Sequence, residues 1–248
     1  MSKHIRVITP IITPDLRSTE DLRALESEGL RITHSLIDVG PASIEGEFDE
    51  ALCLPGTIHK ALQAQREGVD AVIIDCMGDP GVKACRELSD MLVLGPCQTS
   101  MHAAAMLSQQ FSIVTVLDSV VPMLENLAKI YGLSDKLSSV RSVNIPVLEI
   151  EKDPHRLIQL LTEESARAVH DDGAHSIVLG CTGFFGCAEA MSAGLKARGI
   201  DVPIIDPIPA TVRLALALLE AGLTQSRRTF ARPRDKAIRG FEFLELRR

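Results

Sequence analysis

The chain has 248 residues, a formal net charge of −7 and 46% hydrophobic residues, which is enough for a substantial core in one or two domains. The negative charge argues against nucleic-acid binding, since that needs a basic face to displace counterions from phosphates. Aromatic residues make up only 3% and tryptophan is absent, which argues against base-stacking platforms.

Short apolar runs alternate with helical patterns along the chain. The predicted strands are Ile5–Thr9, Arg31–Leu36, Ala71–Asp75, Leu92–Leu94, Ser112–Val116, Ser139–Val143, Ser176–Leu179 and Pro203–Ile205. The predicted helices are Leu16–Ser27, Gly56–Glu67, Gly81–Leu88, Thr99–Gln109, Val121–Tyr131, Pro154–Asp171, Cys187–Arg198 and Ala210–Glu220. Continuous apolar runs are typical of strands covered on both faces, and their alternation with helices predicts an α/β fold with mostly parallel sheets.

No run of 18 apolar residues predicts a membrane span, and the first residues lack the apolar core of a signal peptide. We therefore expect a cytoplasmic protein whose thiols stay reduced. The six cysteines contain no C-x-x-C pair, so neither a disulfide framework nor a metal site is predicted. Cys53, Cys85 and Cys187 are interpreted as small buried hydrophobes, whereas Cys97 is kept as a candidate for a place near the site.

Two segments of the chain resemble each other, and each ends in a cysteine. Gly68 precedes Cys76 by eight positions, as Gly173 precedes Cys181, and each pair encloses an apolar run that leads into Cys-x-Gly. Two later segments, Leu92–Leu94 and Pro203–Ile205, both lead into an x-Pro turn and an alanine-rich helix. The repeated order favours an internal duplication over a chance likeness of strand–helix units.

The duplication predicts two pseudo-symmetric domains, each a mostly parallel four-stranded sheet flanked by helices, with the active site in the cleft between them. The first domain spans residues 1–108 and carries Cys76, and the second spans residues 109–220 and carries Cys181. Residues 221–248 form a basic tail that we expect to pack back on the first domain. A nucleic-acid arm is one interpretation of this tail, but the acidic remainder of the chain favours a solvated tail or a subunit contact.

The position of the two cysteines suggests their chemistry. In open α/β sheets, ligands bind outside the carboxyl ends of the strands, where Cys76 and Cys181 are predicted to lie. A nearby helix N-terminus would favour their thiolates, and Gly78 and Gly183 would let amide N–H groups approach an enolate oxygen. Two opposed thiols would then invert a carbon that bears an acidic C–H, with no metal and no cofactor.

The chain resembles the aspartate/glutamate/hydantoin racemase superfamily, most closely its hydantoin and allantoin racemase branch. The resemblance covers nearly the full length and rests on Gly40–Glu45, Ile74–Gly81, Phe111–Leu117, Leu179–Gly183 and Ile205–Pro207. It implies a cytoplasmic, cofactor-independent isomerase that is usually a homo-oligomer and acts on a small molecule such as a 5-substituted hydantoin or allantoin.

The resemblance also implies roles for individual residues. Cys76 and Cys181 are expected to be the acid/base pair. The expected substrate contacts are Thr9, Ser43, Met77, Gly78, Thr115, Val116, Thr182 and Gly183. The chain departs from the family at Thr9, where an amide side chain is common, at Gln98, where the hydantoin branch often has glutamate, and at Thr182, which is more similar to the amino-acid racemases.

Other functions remain open from the sequence alone. Within enzymes, the alternatives are an Asp/Glu-type racemase, a maleate-type isomerase and a malonate-type decarboxylase, the last of which keeps only one of the two cysteines. A non-catalytic ligand sensor and a redox switch that uses Cys76 and Cys181 belong to a different class.

Overall fold

The computed structural model describes residues 2–14 and 16–244. The described residues form eight strands: β1 Lys3–Thr9, β2 Leu30–Leu36, β3 Ala71–Ile74, β4 Leu92–Leu94, β5 Phe111–Thr115, β6 Leu137–Ser142, β7 Ile177–Leu179 and β8 Ile204–Ile205. Their α-helices are α1 Thr19–Arg23, α2 Glu47–Arg66, α3 Val82–Leu88, α4 Pro96–Leu107, α5 Val121–Ile130, α6 Pro154–Asp172, α7 Cys187–Lys196 and α8 Pro207–Glu220. Short 3-10 helices cover Asp118–Val120, Ser134–Lys136, Val147–Lys152, Thr182–Phe184 and Glu242–Leu244.

Two four-stranded parallel sheets carry the fold, with strand orders β2-β1-β3-β4 and β6-β5-β7-β8. The predicted α/β class and the two sheets are therefore confirmed. Ile8 pairs with Ile74 in the first sheet, and Val114 pairs with Leu179 in the second. The same strand order and the same pairing next to each cysteine agree with the duplication that the sequence suggests.

The central strands β3, β5 and β7 are buried along their whole length, which accounts for their largely apolar sequences. Every residue of β3 and of β5 is buried, including Ser112 and Thr115. In the first sheet, Ile8, Ile74 and Val93 share one core cluster with Ala61 and other residues of α2. Helix α2 thus covers a face of the sheet that would carry polar residues if it were exposed to solvent.

Two compact units can be distinguished by their contacts. The first comprises residues 1–44, 48–95 and 211–248, and the second comprises residues 45–47 and 96–210. This division differs from the predicted boundary after residue 108, because α4 belongs to the second unit and most of α8 to the first. Each unit contains one of the two sheets.

Several helices differ from their predicted bounds, and α1 and α2 have different causes for the shift. A helix was predicted from Leu16, but α1 begins at Thr19, because the Ser18 hydroxyl accepts the N–H groups of Glu20 and Asp21 as an N-cap. A helix was predicted from Gly56, whereas α2 begins at Glu47 and continues through Pro55. Proline usually ends a helix, so sequence reasoning placed the start of α2 too late.

The two x-Pro turns are helix starts rather than separate turns. Pro96 and Pro207 are the first residues of α4 and α8. Proline suits that position, since its fixed φ is helical and the N–H that it lacks would have no partner inside the helix. The helices predicted from Thr99 and Ala210 therefore begin three residues earlier in both cases.

The segment after α8 is held against the first unit. Gln225 Nε2 donates to the carbonyl of Met91 at 2.6 Å, and Arg227 Nη1 donates to the carbonyl of Arg86 at 2.9 Å. The Arg86 guanidinium lies over the Phe230 ring, and its central carbon is 5.3 Å from the centre of the ring. Arg227 thereby supplies a charged donor near the C-terminus of α3, where carbonyl groups lack partners within the helix.

Residues 245–248, which include Arg247 and Arg248 of the predicted basic tail, lie outside the described residues. Within the part of the chain that the structure describes, none of the helices has both the length and the hydropathy that a bilayer crossing requires.

Gly56 of α2 lies tightly against the chain that follows β2. A Cβ at this position would lie 2.7 Å from the carbonyl oxygen of Val39 and 2.9 Å from Ile37 Cβ. Alanine gains about 1 kcal/mol in helix propensity, but we expect this overpacking to outweigh it and to lower the free energy of unfolding by about 1–2 kcal/mol. Urea titration of Gly56→Ala measures this, with Gly46→Ala, which meets no atom within 4 Å, as the control. Equal stability of the two variants would contradict the close packing.

Candidate active site

Cys76 lies just beyond the carboxyl end of β3. Asp75 N–H continues the ladder by donating to Ile8 at 2.8 Å, and Cys76 N–H donates back to Ile74 at 2.8 Å, which makes a three-residue turn centred on Asp75. Gly78 N–H then donates to Cys76 Sγ at 3.4 Å. The thiol of the first unit is therefore half-buried at the sheet edge with a backbone donor aimed at its sulfur.

Cys181 has the same local arrangement in the second unit. Gly180 N–H donates to Val114 at 2.7 Å, as Asp75 does to Ile8. Gly183 N–H donates to Cys181 Sγ at 3.3 Å, and Phe184 N–H donates to the Cys181 carbonyl at 3.1 Å. Each loop therefore aims one backbone N–H group at the sulfur of its cysteine, which is the kind of donor that a thiolate accepts.

A threonine at the end of each central strand supports the residue before the cysteine. Thr9 Oγ1 donates to Asp75 Oδ2 at 2.8 Å, and Thr115 Oγ1 donates to the Gly180 carbonyl at 3.0 Å. Position 180 has no room for a side chain, since a Cβ there would lie 2.7 Å from Thr115 Cβ. The equivalent residue, Asp75, instead carries a charge.

That charge has a buried partner. Arg17 Nε and Nη2 donate to the two Asp75 oxygens at 2.9 and 3.0 Å, and these side chains are only 4% and 0% exposed. Because the Thr9 hydroxyl gives its proton to Asp75, it accepts one from His34 Nε2 at 2.8 Å. Burial lowers the pKa of His34 and outweighs the attraction of Asp75, so His34 is a neutral donor at neutral pH.

The predicted substrate contacts fall into two groups, one in each unit. Thr9 is the last residue of β1, and Ser43, Met77 and Gly78 lie in the loops after β2 and β3. Thr9 is linked to the Cys76 loop through its hydrogen bond to Asp75. Thr115, Val116, Thr182 and Gly183 lie at the carboxyl ends of β5 and β7, and Gly183 contacts Cys181 directly. The hydroxyls of both strand-end threonines are engaged within the protein.

The sequence around these loops matches a known protein family. The Asp/Glu/Hydantoin racemase family model matches residues 17–215. This chain belongs to the Asp/Glu/hydantoin racemase family. The resemblance found in the sequence is confirmed, and the matched region contains both cysteines and Arg17.

Individual members of the racemase family are similar over almost the whole chain. A hydantoin racemase of Rhizobium meliloti is 40% identical over 245 residues, which cover 96% of this chain and 98% of that protein. A hydantoin racemase of Pseudomonas sp. strain NS671 is 36% identical over 95% of this chain and 94% of that protein. The structure of an allantoin racemase from Klebsiella pneumoniae superposes with a TM-score of 0.90 at 33% identity over 99% of both chains.

The other cysteines of this racemase-family chain have different surroundings. Burial raises the pKa of Cys53 and of Cys85 to about 12. It also raises the pKa of Cys187 to about 11, with a contribution from Asp206. Cys97 lies in the first turn of α4 and is fully buried. Within the described residues, no group of three His, Cys, Asp or Glu side chains is placed to hold a metal ion.

Sequence reasoning missed Arg17 and His34. The sequence pattern predicts a helix at Arg17 and a strand at His34, and neither residue belongs to a motif. The available indication was Asp75, because a carboxylate directly after a buried apolar strand needs a buried partner. The sequence does not identify that partner, which lies 58 positions away.

The cysteine surroundings predict selective alkylation of the folded protein. At pH 8 a thiol with a pKa of about 12 is ionised to only about one part in ten thousand, so we expect iodoacetamide to spare Cys53 and Cys85. Peptide mapping by mass spectrometry after a short exposure measures this, and the same protein in guanidinium, where all six cysteines react, is the control. Modification of Cys85 at equal rates in both states would contradict it.

The neutral His34 predicts a pH-dependent stability. The unfolded chain binds a proton at His34 more readily than the folded protein, so the free energy of unfolding should fall as the pH drops below 6.5, by up to about 1.4 kcal/mol per pH unit. His34→Gln should reduce the dependence of the unfolding free energy on pH. His4→Gln should reduce it further, because burial also lowers the pKa of His4. Urea titrations between pH 5 and pH 7 measure it, with exposed His155→Gln as the control. An unchanged slope in His34→Gln would exclude this role.

Proposed function

We propose that this chain is a cofactor-independent racemase that inverts the acidic C–H carbon of a small cyclic ureide, with Cys76 and Cys181 as the acid/base pair. The observation that carries the proposal is the repeated arrangement at the two strand ends, where the amide of the second residue after each cysteine points at its sulfur. Family membership and the names of the relatives support racemisation as the reaction class.

In the proposed reaction, one thiolate takes the substrate proton and becomes a thiol, and the electron pair of the broken C–H bond moves into an enolate. The other thiol then gives its proton to the opposite face of the carbon and becomes a thiolate. Each proton transfer by a positioned group supplies about 10²–10⁴-fold of the rate enhancement. Backbone amides that stabilise the enolate oxygen would supply much of the remainder.

This sequence of steps explains why two similar thiols suit one reaction. After one turnover the protonation states of Cys76 and Cys181 are exchanged, and the enzyme is ready for the opposite enantiomer. Proton exchange with solvent restores the starting state. Since the equilibrium constant between enantiomers is one, neither direction can be favoured, and a duplicated site serves both directions alike.

A neutral ring is the better substrate candidate for this chain. The guanidinium beside the Cys76 loop belongs to Arg17, and Asp75 compensates its charge through two hydrogen bonds. A dicarboxylic amino acid would gain little from a cation that is already paired. We therefore propose a 5-substituted hydantoin or allantoin, and the hydantoin and allantoin racemases among the relatives support the same choice.

The alternatives are an Asp/Glu-type racemase, a maleate-type isomerase and a malonate-type decarboxylase, and the presence of both cysteines counts against the decarboxylase. A polarimetric screen of single enantiomers of 5-substituted hydantoins, allantoin, aspartate and glutamate separates the racemases, with a protein-free sample for spontaneous racemisation. We also propose that the protein is cytoplasmic, forms a homo-oligomer and has no nucleic-acid partner. Light scattering of the purified protein measures its mass and so tests the oligomeric state.

Removal of either thiol should abolish racemisation. We expect Cys76→Ser and Cys181→Ser to lose at least about 10²-fold in racemisation rate, because serine is not ionised at neutral pH. Each variant should exchange the substrate proton with deuterium oxide from one enantiomer only, and the two variants should prefer opposite enantiomers. Proton NMR measures the exchange, and Cys53→Ser is the control. Full racemase activity in either variant would overturn the proposal, and binding without any turnover in the wild type would favour a ligand sensor.

A further inference from the structure

The two cysteine loops are supported in different ways. Asp75 and Gly180 occupy equivalent positions. Each directly precedes a cysteine, and each donates its N–H to a carbonyl of the neighbouring strand, Ile8 or Val114. In the second unit the support is neutral, because Thr115 holds the Gly180 carbonyl. In the first unit the equivalent threonine, Thr9, holds the carboxylate of Asp75, which is also bound by a guanidinium.

The Arg17–Asp75 clamp, defined as the pair of hydrogen bonds between these side chains, restrains Asp75 strongly. Both Asp75 oxygens are bound by Arg17, and Oδ2 also accepts from Thr9. Three donors on a fully buried carboxylate leave its side chain little freedom to rotate. Because Asp75 is the central residue of the turn closed by Cys76 N–H and the Ile74 carbonyl, fixing Asp75 also fixes the backbone that carries Cys76.

Arg17 connects this turn to other loops of the site. It lies in the segment between β1 and α1, which is bonded to the loop after β2: Ile12 N–H donates to Pro41 at 3.0 Å and Thr13 Oγ1 to Ala42 at 2.6 Å. The clamp therefore joins the loops that contain Thr9, Ser43 and Cys76 in a single hydrogen-bonded assembly.

We propose that Arg17 is a positioning residue for Cys76, which acts by holding Asp75 and thereby the turn that aims the thiol. The proposal rests on the proposed function insofar as the thiol transfers a proton. Its consequence is an asymmetry between the two halves of the reaction. Proton transfer at Cys76 depends on a buried ion pair, whereas proton transfer at Cys181 depends on a glycine and a threonine.

The test uses the double variant Arg17→Met/Asp75→Asn, which removes both charges while nearly preserving side-chain volume, so no buried charge is left unpaired. The control is Arg6→Met/Glu67→Gln, which removes a more exposed ion pair between β1 and the residue after α2, whose guanidinium and carboxylate are 2.8 Å apart. A cooperative thermal unfolding transition in each double variant establishes that the variant is folded before its reactivity is compared. Arg17→Lys retains the charge but loses the two-pronged geometry, so it should give an intermediate effect.

The first measurement needs no substrate. Alkylation of Cys76 and of Cys181 by iodoacetamide is followed separately by peptide mapping. In the clamp variant we expect the rate at Cys76 to fall by about fivefold or more, because the sulfur loses its alignment with the Gly78 amide. The rate at Cys181 should match that of the control variant. Unchanged alkylation of Cys76, or an equal change at both thiols, would overturn the positioning role.

The second measurement follows the reaction itself. Racemisation by the clamp variant should slow by about tenfold to a hundredfold, and the isotope effect of substrate deuterated at the reacting carbon should diverge between the enantiomers. It should rise for the enantiomer whose proton goes to Cys76 and fall for the other. A purely structural defect lowers both rates without that divergence. If the wild type racemises nothing while the alkylation result holds, the proposed function fails and the positioning role stands.

Discussion

A backbone hydrogen bond between neighbouring parallel strands determines where both cysteines lie. Asp75 N–H bonds to Ile8 in one unit, and Gly180 N–H bonds to Val114 in the other. Each bond is the last rung of a parallel ladder, so the following residue leaves the sheet at its carboxyl edge, where α/β proteins bind ligands. The glycine two residues later then has its N–H close enough to contact the sulfur. Everything proposed about the thiols depends on this repeated strand end.

The duplicated scaffold carries two different supports. A strand-end threonine is retained in both units, but it holds a carboxylate in one and a carbonyl in the other. A buried ion pair is expensive, because desolvation of both charges offsets most of their attraction. Stability alone therefore gives little reason for Asp75 and Arg17, and a role in holding the turn before Cys76 gives a better one.

Much of the fold could be predicted from local patterns. Each of the eight predicted strands has a counterpart shifted by at most two residues at either end. For strands such as β3 and β7, the reason is that burial on both faces shows as an uninterrupted apolar run. The start of α2 was wrong because Pro55 lies inside the helix, and the start of α1 was wrong because Ser18 is its cap. The starts of α4 and α8 were also predicted three residues too late, because Pro96 and Pro207 are the first residues of these helices.

The sequence by itself determined the α/β class, the repeated Cys-x-Gly loops and the family, because these are properties of residues close together in the chain. Only the tertiary structure decided which side chains hold Asp75, the residue directly before Cys76. Arg17 from the segment after β1 and Thr9 from the end of β1 bind Asp75, and His34 from β2 binds Thr9, so residues far apart in the sequence form one hydrogen-bonded group. The tertiary structure also decides that Cys53 and Cys85 are buried, and this burial keeps their thiols protonated. Burial and charge pairing depend on the packed chain, and spacing along the sequence does not encode them.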